Sequence, residues 1–334
     1  MRLGKVSESV LKRSVLKEIK YHNEEVILGA GVSADCGAVR IPEGHILVTS
    51  TDPITCASVN IPILAVHNGL NDILVTGASP IGIMLTVLMP VSFMESELKE
   101  MMAEFNSICQ EMHIQILGGH TETTSAVTRP VVSITTIGSV LEDEYLDVRS
   151  LKPDQDIIMT KGIGIEGTAI LAWEQGELLS KRFSPSFMRK CRDFINRISI
   201  AKECGIGKQW GVTAMHDVSE GGLFGALWEL ASGANMGISI NLKDILIQQE
   251  TIELCEIFDI NPYYLVSGGT VLMVTDHGKE LTEALNSEGI PAAIIGKVTA
   301  GKERVVINGE ERRFLEPPKS DELQLFEARN FNRK

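Results

Sequence analysis

No Cys-x-x-Cys pair and no tight grouping of cysteine with histidine occur among the six cysteines, at positions 36, 56, 109, 191, 204 and 255. That spread, in a chain of 334 residues, fits neither a thiolate zinc site nor an extracellular disulfide scaffold. Also missing is a run of lysines or arginines that could pave a phosphate backbone. The formal charge is -13, and Lys181, Arg182, Arg189, Lys190 and Arg192 make only a modest basic helical patch, so no nucleic-acid partner is expected. The opening MRLGKVSESVLKRSVL has no continuous apolar stretch. No later segment reaches the uninterrupted apolar length of about 18 residues that marks a span. Neither export nor a membrane partner is expected, and the expected location is cytoplasmic.

What is present is an ordinary globular balance, 44% hydrophobic and 22% charged, in a length that suits two domains. Residues 6–20 have helical spacing, HILVTSTD at 45–52 reads as a strand ending in an acid, and Pro53 is expected to stop it. A helix is expected to close at Gly77, a long one over 95–112 carries the stripe Leu98, Met102, Phe105 and Cys109, and IQILGG is a short strand running into His120 and Glu122. The polar tract LEDEYLDVRSLKPDQD separates two self-sufficient patterns, giving domains at 1–152 and 153–334. Strands and helices mix in each half without strict alternation, so the expected class is α+β in two domains.

TKGIGIEGTAILAW holds a literal G-x-G-x-x-G at Gly162, Gly164 and Gly167. A dinucleotide fold needs a second strand ending in an acid about 20 residues further on. The following tract is GELLSKRFSPSFMRKCRDF, which supplies no such strand, so the glycines are expected to serve a turn into a helix.

The suggestive acids stand elsewhere: Asp35 in GVSADCGAV, Asp52 in TSTDPIT, Asn71 and Asp72 in GLNDILVTGASP, His120 and Glu122 in GGHTETT, and Asp217 in MHDVSEGG. Carboxylates gathered at one place disfavour joint ionisation, and a divalent ion such as Mg2+ removes that penalty while offering places to phosphate oxygens. Gly118, Gly119, Gly221 and Gly222 would allow close phosphate approach. Each residue also has a local reading: Asp35 and Asp52 as turn acids, Asn71 and Asp72 as a polar helix face, His120 and Glu122 as loop groups, Asp217 as a helix cap.

In this order the motifs resemble the aminoimidazole-ribonucleotide synthetase superfamily, which includes the hydrogenase-maturation protein HypE, selenophosphate synthetase and thiamine-monophosphate kinase. GLNDILVTGASP is similar to its ND-x-x-x-x-GA-x-P element, GGHTE stands at its GGDT or GGET position, HDVSEGG looks like the amidotransferase form, and KGIGIEGTAILA and YLVSGGTVLMVT look most like HypE. The resemblance implies a PurM-like fold and a homodimer. In it the first domain lends strands to a dimeric β-barrel, and a mixed α/β second domain completes each ATP site. It further implies Asp35, Asp52, Asp72 and Asp217 as Mg2+ ligands, Asn71 as support, and the four glycines beside the nucleotide. His120 or Glu122 would handle a proton. The implied reaction is ATP-dependent phosphoryl transfer to an amide or carboxamide oxygen, on a small-molecule or protein-borne acceptor. A purine-synthetase activity and a non-catalytic ATP-binding assembly protein are the alternatives. His120 replaces the usual acid after the paired glycines, and the chain ends FNRK, its last cysteine being Cys255, where HypE ends in a cysteine.

Overall fold

In the computed structural model residues 3–32, 34 and 36–331 are described, the side chains of 330 and 331 excepted. The chain forms two compact units, 1–74 with 78–145 and 75–77 with 146–334.

The first unit is built on a sheet in the order β1-β6-β5-β7-β4, comprising β1 (Gly4–Lys5), β4 (His45–Ile54), β5 (Ser79–Met89), β6 (Gln115–Thr123) and β7 (Val131–Leu141). A small ribbon pairs β2 (Val26–Leu28) with β3 (Ala38–Val39). Residues 6–20 are helical in a distorted way: α1 (Glu8–Val10) runs into π-helical Leu11–Val15 and a 3-10 turn, Leu16–Glu18. Two long helices, α2 (Ile61–Leu74) and α3 (Glu95–Glu111), cover the sheet's buried face. The α3 stripe Leu98, Met102, Phe105 and Cys109 is almost wholly buried, each large side chain contributing about 1.5–3 kcal/mol. Glu97 starts that helix by accepting the Met94 N–H at 2.7 Å. Contrary to the expected stop at Pro53, β4 runs on to Ile54. It is an edge strand, where a residue without an N–H costs no ladder bond on its outer side.

Antiparallel register places Asp52 opposite Ile134, and Ile134 opposite Leu85, which pairs in parallel with Gly119. This row lies on the helix-covered face, since Ile134 and Leu85 are buried. The next row, Pro53, Ser133, Thr86 and His120, lies on the opposite, more open face. That face carries Leu47, 53% exposed, and the exposed Thr49 and Thr51.

The second unit holds a sheet in the order β14-β13-β10-β12-β8-β11-β9. Its strands are β8 (Asp156–Thr160), β9 (Ala214–Val218), β10 (Gly237–Asn241), β11 (Thr270–Thr275), β12 (Ala292–Thr299), β13 (Arg304–Asn308) and β14 (Glu311–Phe314). The helices are α4 (Ile165–Glu174), α5 (Gly176–Leu179), α6 (Pro185–Asp193), α7 (Ala201–Gln209), α8 (Gly222–Ala234), α9 (Gln249–Phe258), α10 (Gly278–Ser287) and α11 (Glu322–Phe331). Leu223, Leu227 and Leu230 of α8 pack on Ile157, Leu272 and Val274. On the other face Gly207 brings α7 against the sulfurs of Met215 and Met273. Both units thus have the mixed α/β content expected, and neither sheet closes on itself. Among the described residues no helix is long and apolar enough to cross a membrane.

Candidate functional site

Asp72 sits in the last turn of α2, where the helix dipole disfavours a carboxylate. The Ser50 hydroxyl donates to its Oδ2. Ser50 and Asp52 are two apart on β4, so both point to the half-buried side of that strand. Asn71, beside Asp72, is 1% exposed. The structure therefore brings Asp52 and Asp72 to one side of one edge strand. Asp35 lies outside the described residues, and among those described no three His, Cys, Asp or Glu side chains converge as a metal-holding group.

Gly118, Gly119, His120 and Glu122 all belong to β6; the strand does not end at the glycine pair as the sequence suggested. Gly119 has φ 145°, and any Cβ there would collide with the Leu85 carbonyl oxygen of the neighbouring strand, a position only glycine fills without strain. Beyond it His120 and Glu122 share a face, with Nε2 and Oε2 3.1 Å apart. By register this is the face opposite Asp52, so within the unit the imidazole and the α2 carboxylate are not neighbours. On the Gly119 side a cavity of about 120 Å³ is lined by Leu85, Val87, Met102, Gly118, Gly119 and Thr121, with Lys5 also at its wall.

In the second unit Asp217 is the penultimate residue of β9, its side chain 13% exposed. The neighbouring His216 has Nδ1 2.6 Å from the Asp217 carbonyl oxygen and Nε2 3.5 Å from Glu229. Burial raises the Glu229 carboxyl above its ordinary range, the His216 ring works against that, and Asp217 adds to it. Gly221, at φ 80°, opens α8, and its N–H is donated to Asp321 at 2.8 Å. Gly222 packs so closely that a Cβ would lie 2.7 Å from the carbonyl oxygens of Tyr263 and Leu265. Here the glycine pair serves backbone packing, and the Gly221 amide is already engaged.

The literal G-x-G-x-x-G behaves alike. Gly164 caps α4 in the left-handed region and donates its N–H to Ser267 Oγ at 2.7 Å, while Gly167 is covered by the Leu265 side chain. It is a turn into a helix, as its lack of a following acidic strand indicated.

Three residues escaped sequence reasoning. Lys161, 8% exposed, pairs with the buried Glu203 at 2.7 Å and donates to the carbonyls of Arg197 and Ser199. Burial lowers its pKa, Glu203 opposes that shift, and Arg197 adds to it. Its only sequence signal is adjacency to the glycine turn. Asp321 does carry a signal, an acid before Glu322 and Leu323 after a double proline, which is a helix-start pattern.

Comparison with known proteins places this geometry in context. The model of the AIR synthase related protein N-terminal domain matches residues 33–140, and that of the C-terminal domain matches 152–308. A protein of Methanocaldococcus jannaschii named for hydrogenase expression and formation is 26% identical over 329 residues, 96% of each chain. Carbamoyl dehydratase HypE of Rhizobium leguminosarum is 24% identical over 276 residues, 80% of this chain and 77% of its own. Among solved structures, Escherichia coli HypE superposes with TM-score 0.79 at 17% identity, covering 96% of this chain and 100% of that one. HypE in complex with ATP gives 0.73 at 19%, covering 96% and 97%. A HypE–HypF complex gives 0.69 at 19%, covering 85% and 93%.

Proposed function

Because the chain belongs to the AIR synthase related family, with both of its domains, we propose that it is a HypE-like, ATP-dependent enzyme. Its reaction is the activation of an amide or carboxamide oxygen by phosphoryl transfer, the chemistry by which an amide loses water. The observation that carries this reading is the carboxylate of Asp72 held by Ser50, which stands two residues before Asp52 on the same side of β4. The donors there are all hard oxygens, a set that suits Mg2+ with nucleotide phosphates completing its shell. Relatives called carbamoyl dehydratase, similar over most of the chain, support the same reading.

When bound, Mg2+ supplies neutralisation of charge on the triphosphate. Asp52 and Asp72 would hold it, Asp35 would be a third ligand, and Asn71 would keep the end of α2 in place. Gly118 and Gly119 allow the triphosphate to approach the backbone. His120 lies on the other face of the sheet from Asp52 and Asp72. It would therefore take the proton released by the attacking amide at a site that a second copy of the chain completes. Glu122, 3.1 Å from the His120 Nε2, would fix the ring and favour the cation that forms. In the second domain Asp217 would offer a further oxygen ligand for Mg2+, and Gly221 and Gly222 shape the turn that follows it.

The open face of the first sheet, with Leu47, Thr86, His120 and Glu122 on it, supports a homodimer in which two such faces meet. A buried face of that kind would sequester His120 from bulk water. The acceptor is a carboxamide, and the HypE–HypF complex favours one delivered by a partner protein over a free small molecule.

Calorimetry decides the matter. Wild-type protein should bind Mg-ATP, and Asp52→Asn and Asp72→Asn should each lose that heat while remaining folded. An absence of binding by wild type at millimolar nucleotide overturns the proposal.

A further inference from the structure

Asp321 is 3% exposed and belongs to no expected site. Its carboxylate serves two helices at once. Oδ1 accepts the Leu323 N–H at 2.8 Å, and its carbonyl accepts the Leu325 N–H at 3.0 Å, which makes it the N-cap of α11. Oδ2 accepts the Gly221 N–H at 2.8 Å, at the residue that opens α8. The Val266 N–H, from the turn preceding β11, also favours the ionised form. One buried anion thus joins the turn after β9, the turn before β11 and the C-terminal helix. That helix is seated by Leu323, 2% exposed, and by Phe326 edge-on to Phe258 at 4.9 Å. Asp321 lies beyond residue 308, where the family match stops.

We propose that Asp321 is a positioning residue for the nucleotide. From the C-terminal segment it fixes the Asp217–Gly222 turn, so that this segment is a working part of the second domain and not a trailing tail. Burying a carboxylate is costly unless it is fully hydrogen-bonded, and a lone cap for α11 could have stayed at the surface, where N-caps usually are. The bridge to Gly221 is what burial secures. Without it the first amides of α8 are free to move, and Asp217, four residues earlier, loses its fixed approach to the phosphates. This role rests on the ATP-binding reading above, but the bridge itself does not.

Asp321→Asn separates the two halves of the contact. Asparagine caps a helix as well as aspartate does, so α11 stays seated, but its NH2, a donor, then stands where Oδ2 accepted the Gly221 N–H. Amide hydrogen exchange on the full chain should show protection at Gly221 lost and that at Leu323 and Leu325 retained. Asp321→Ala should lose both. In calorimetry Asp321→Asn should bind Mg-ATP about tenfold more weakly, the size of one lost hydrogen bond to a charged group. Unchanged protection at Gly221 overturns the bridge, and a freed Gly221 with unchanged Mg-ATP affinity overturns the positioning role. Wild type that fails to bind Mg-ATP sinks the functional reading and the nucleotide role together, while exchange at Gly221 still decides the bridge.

Discussion

Ser50 donates its hydroxyl hydrogen to the carboxylate of Asp72, joining the edge strand β4 to the last turn of α2. The bond orients an acid that the helix dipole would otherwise disfavour. Ser50→Ala should therefore weaken Mg-ATP binding by about tenfold, as expected for a hydrogen bond to a charged group. The thermal midpoint without ligand should move little, because the site is only half-buried. Thermal shifts with and without Mg-ATP read both quantities. A Ser50→Ala protein with full nucleotide affinity would assign the bond to stability alone.

Gly119 should tolerate no side chain. Alanine there faces both a φ of 145° and a collision with the Leu85 carbonyl on β5, and neither strand can move without disturbing the ladder. Gly119→Ala should cost on the order of 3 kcal/mol or more by denaturant titration. Gly118, whose added Cβ would meet only the Met84 side-chain end at 3.7 Å, should accept alanine at much smaller cost. Equal effects at the two positions would contradict the register described for β5 and β6.

The sequence made the long apolar elements legible, because α3 and β7 each bury a periodic stripe that nothing local contradicts. It also exposed the Asn71–Asp72 element, since its turn chemistry and its helix end coincide. What it hid depends on contacts between distant segments. His120 and Glu122 read as loop residues after two glycines, but strand pairing with β5 carries β6 on to Thr123. The face they share is set by that register, which a single strand does not encode. α9 and α11 escaped for another reason. Their stripes are short, and the Asp321 cap that starts α11 has its second partner 100 residues away.

Lys161 and Glu203 form a buried pair whose members are not equal in replacement. Lys161→Met removes the cation and its bonds to the carbonyls of Arg197 and Ser199, leaving the Glu203 charge buried without its cation. That should cost about 3–5 kcal/mol. The double change Lys161→Met with Glu203→Leu should recover part of this, because no unpaired charge then remains in the interior. Chemical denaturation of the two single variants and the double variant gives the coupling. Strictly additive losses would show that the pair acts through its carbonyl bonds and not through its charges.

Two carboxylates should give opposite slopes of stability against pH. Glu95 is held down to about 2 by the Arg13 guanidinium and the Ser14 hydroxyl, so its contribution is present above its ordinary pKa and is lost as pH falls toward 2. The Glu95 and Arg13 side chains both reach the surface, and the effect is small. Asp321 is pushed up to about 6, from 3.8, because burial outweighs the N–H groups of Leu323, Gly221 and Val266, with Glu220 adding to the rise. The folded chain therefore binds this proton more tightly than the unfolded chain does. Its contribution is complete below 3.8 and is lost as pH rises through about 6, an effect of roughly 3 kcal/mol at most. Urea midpoints followed from pH 4 to 7 should show this fall in wild type and not in Asp321→Asn. The ionised acid thus lowers stability at neutral pH while it holds Gly221, and its retention there is intelligible only if the held turn is worth more than the stability forgone. A wild-type profile identical in slope to that of Asp321→Asn would remove the raised pKa, and with it the reason for regarding this buried anion as costly.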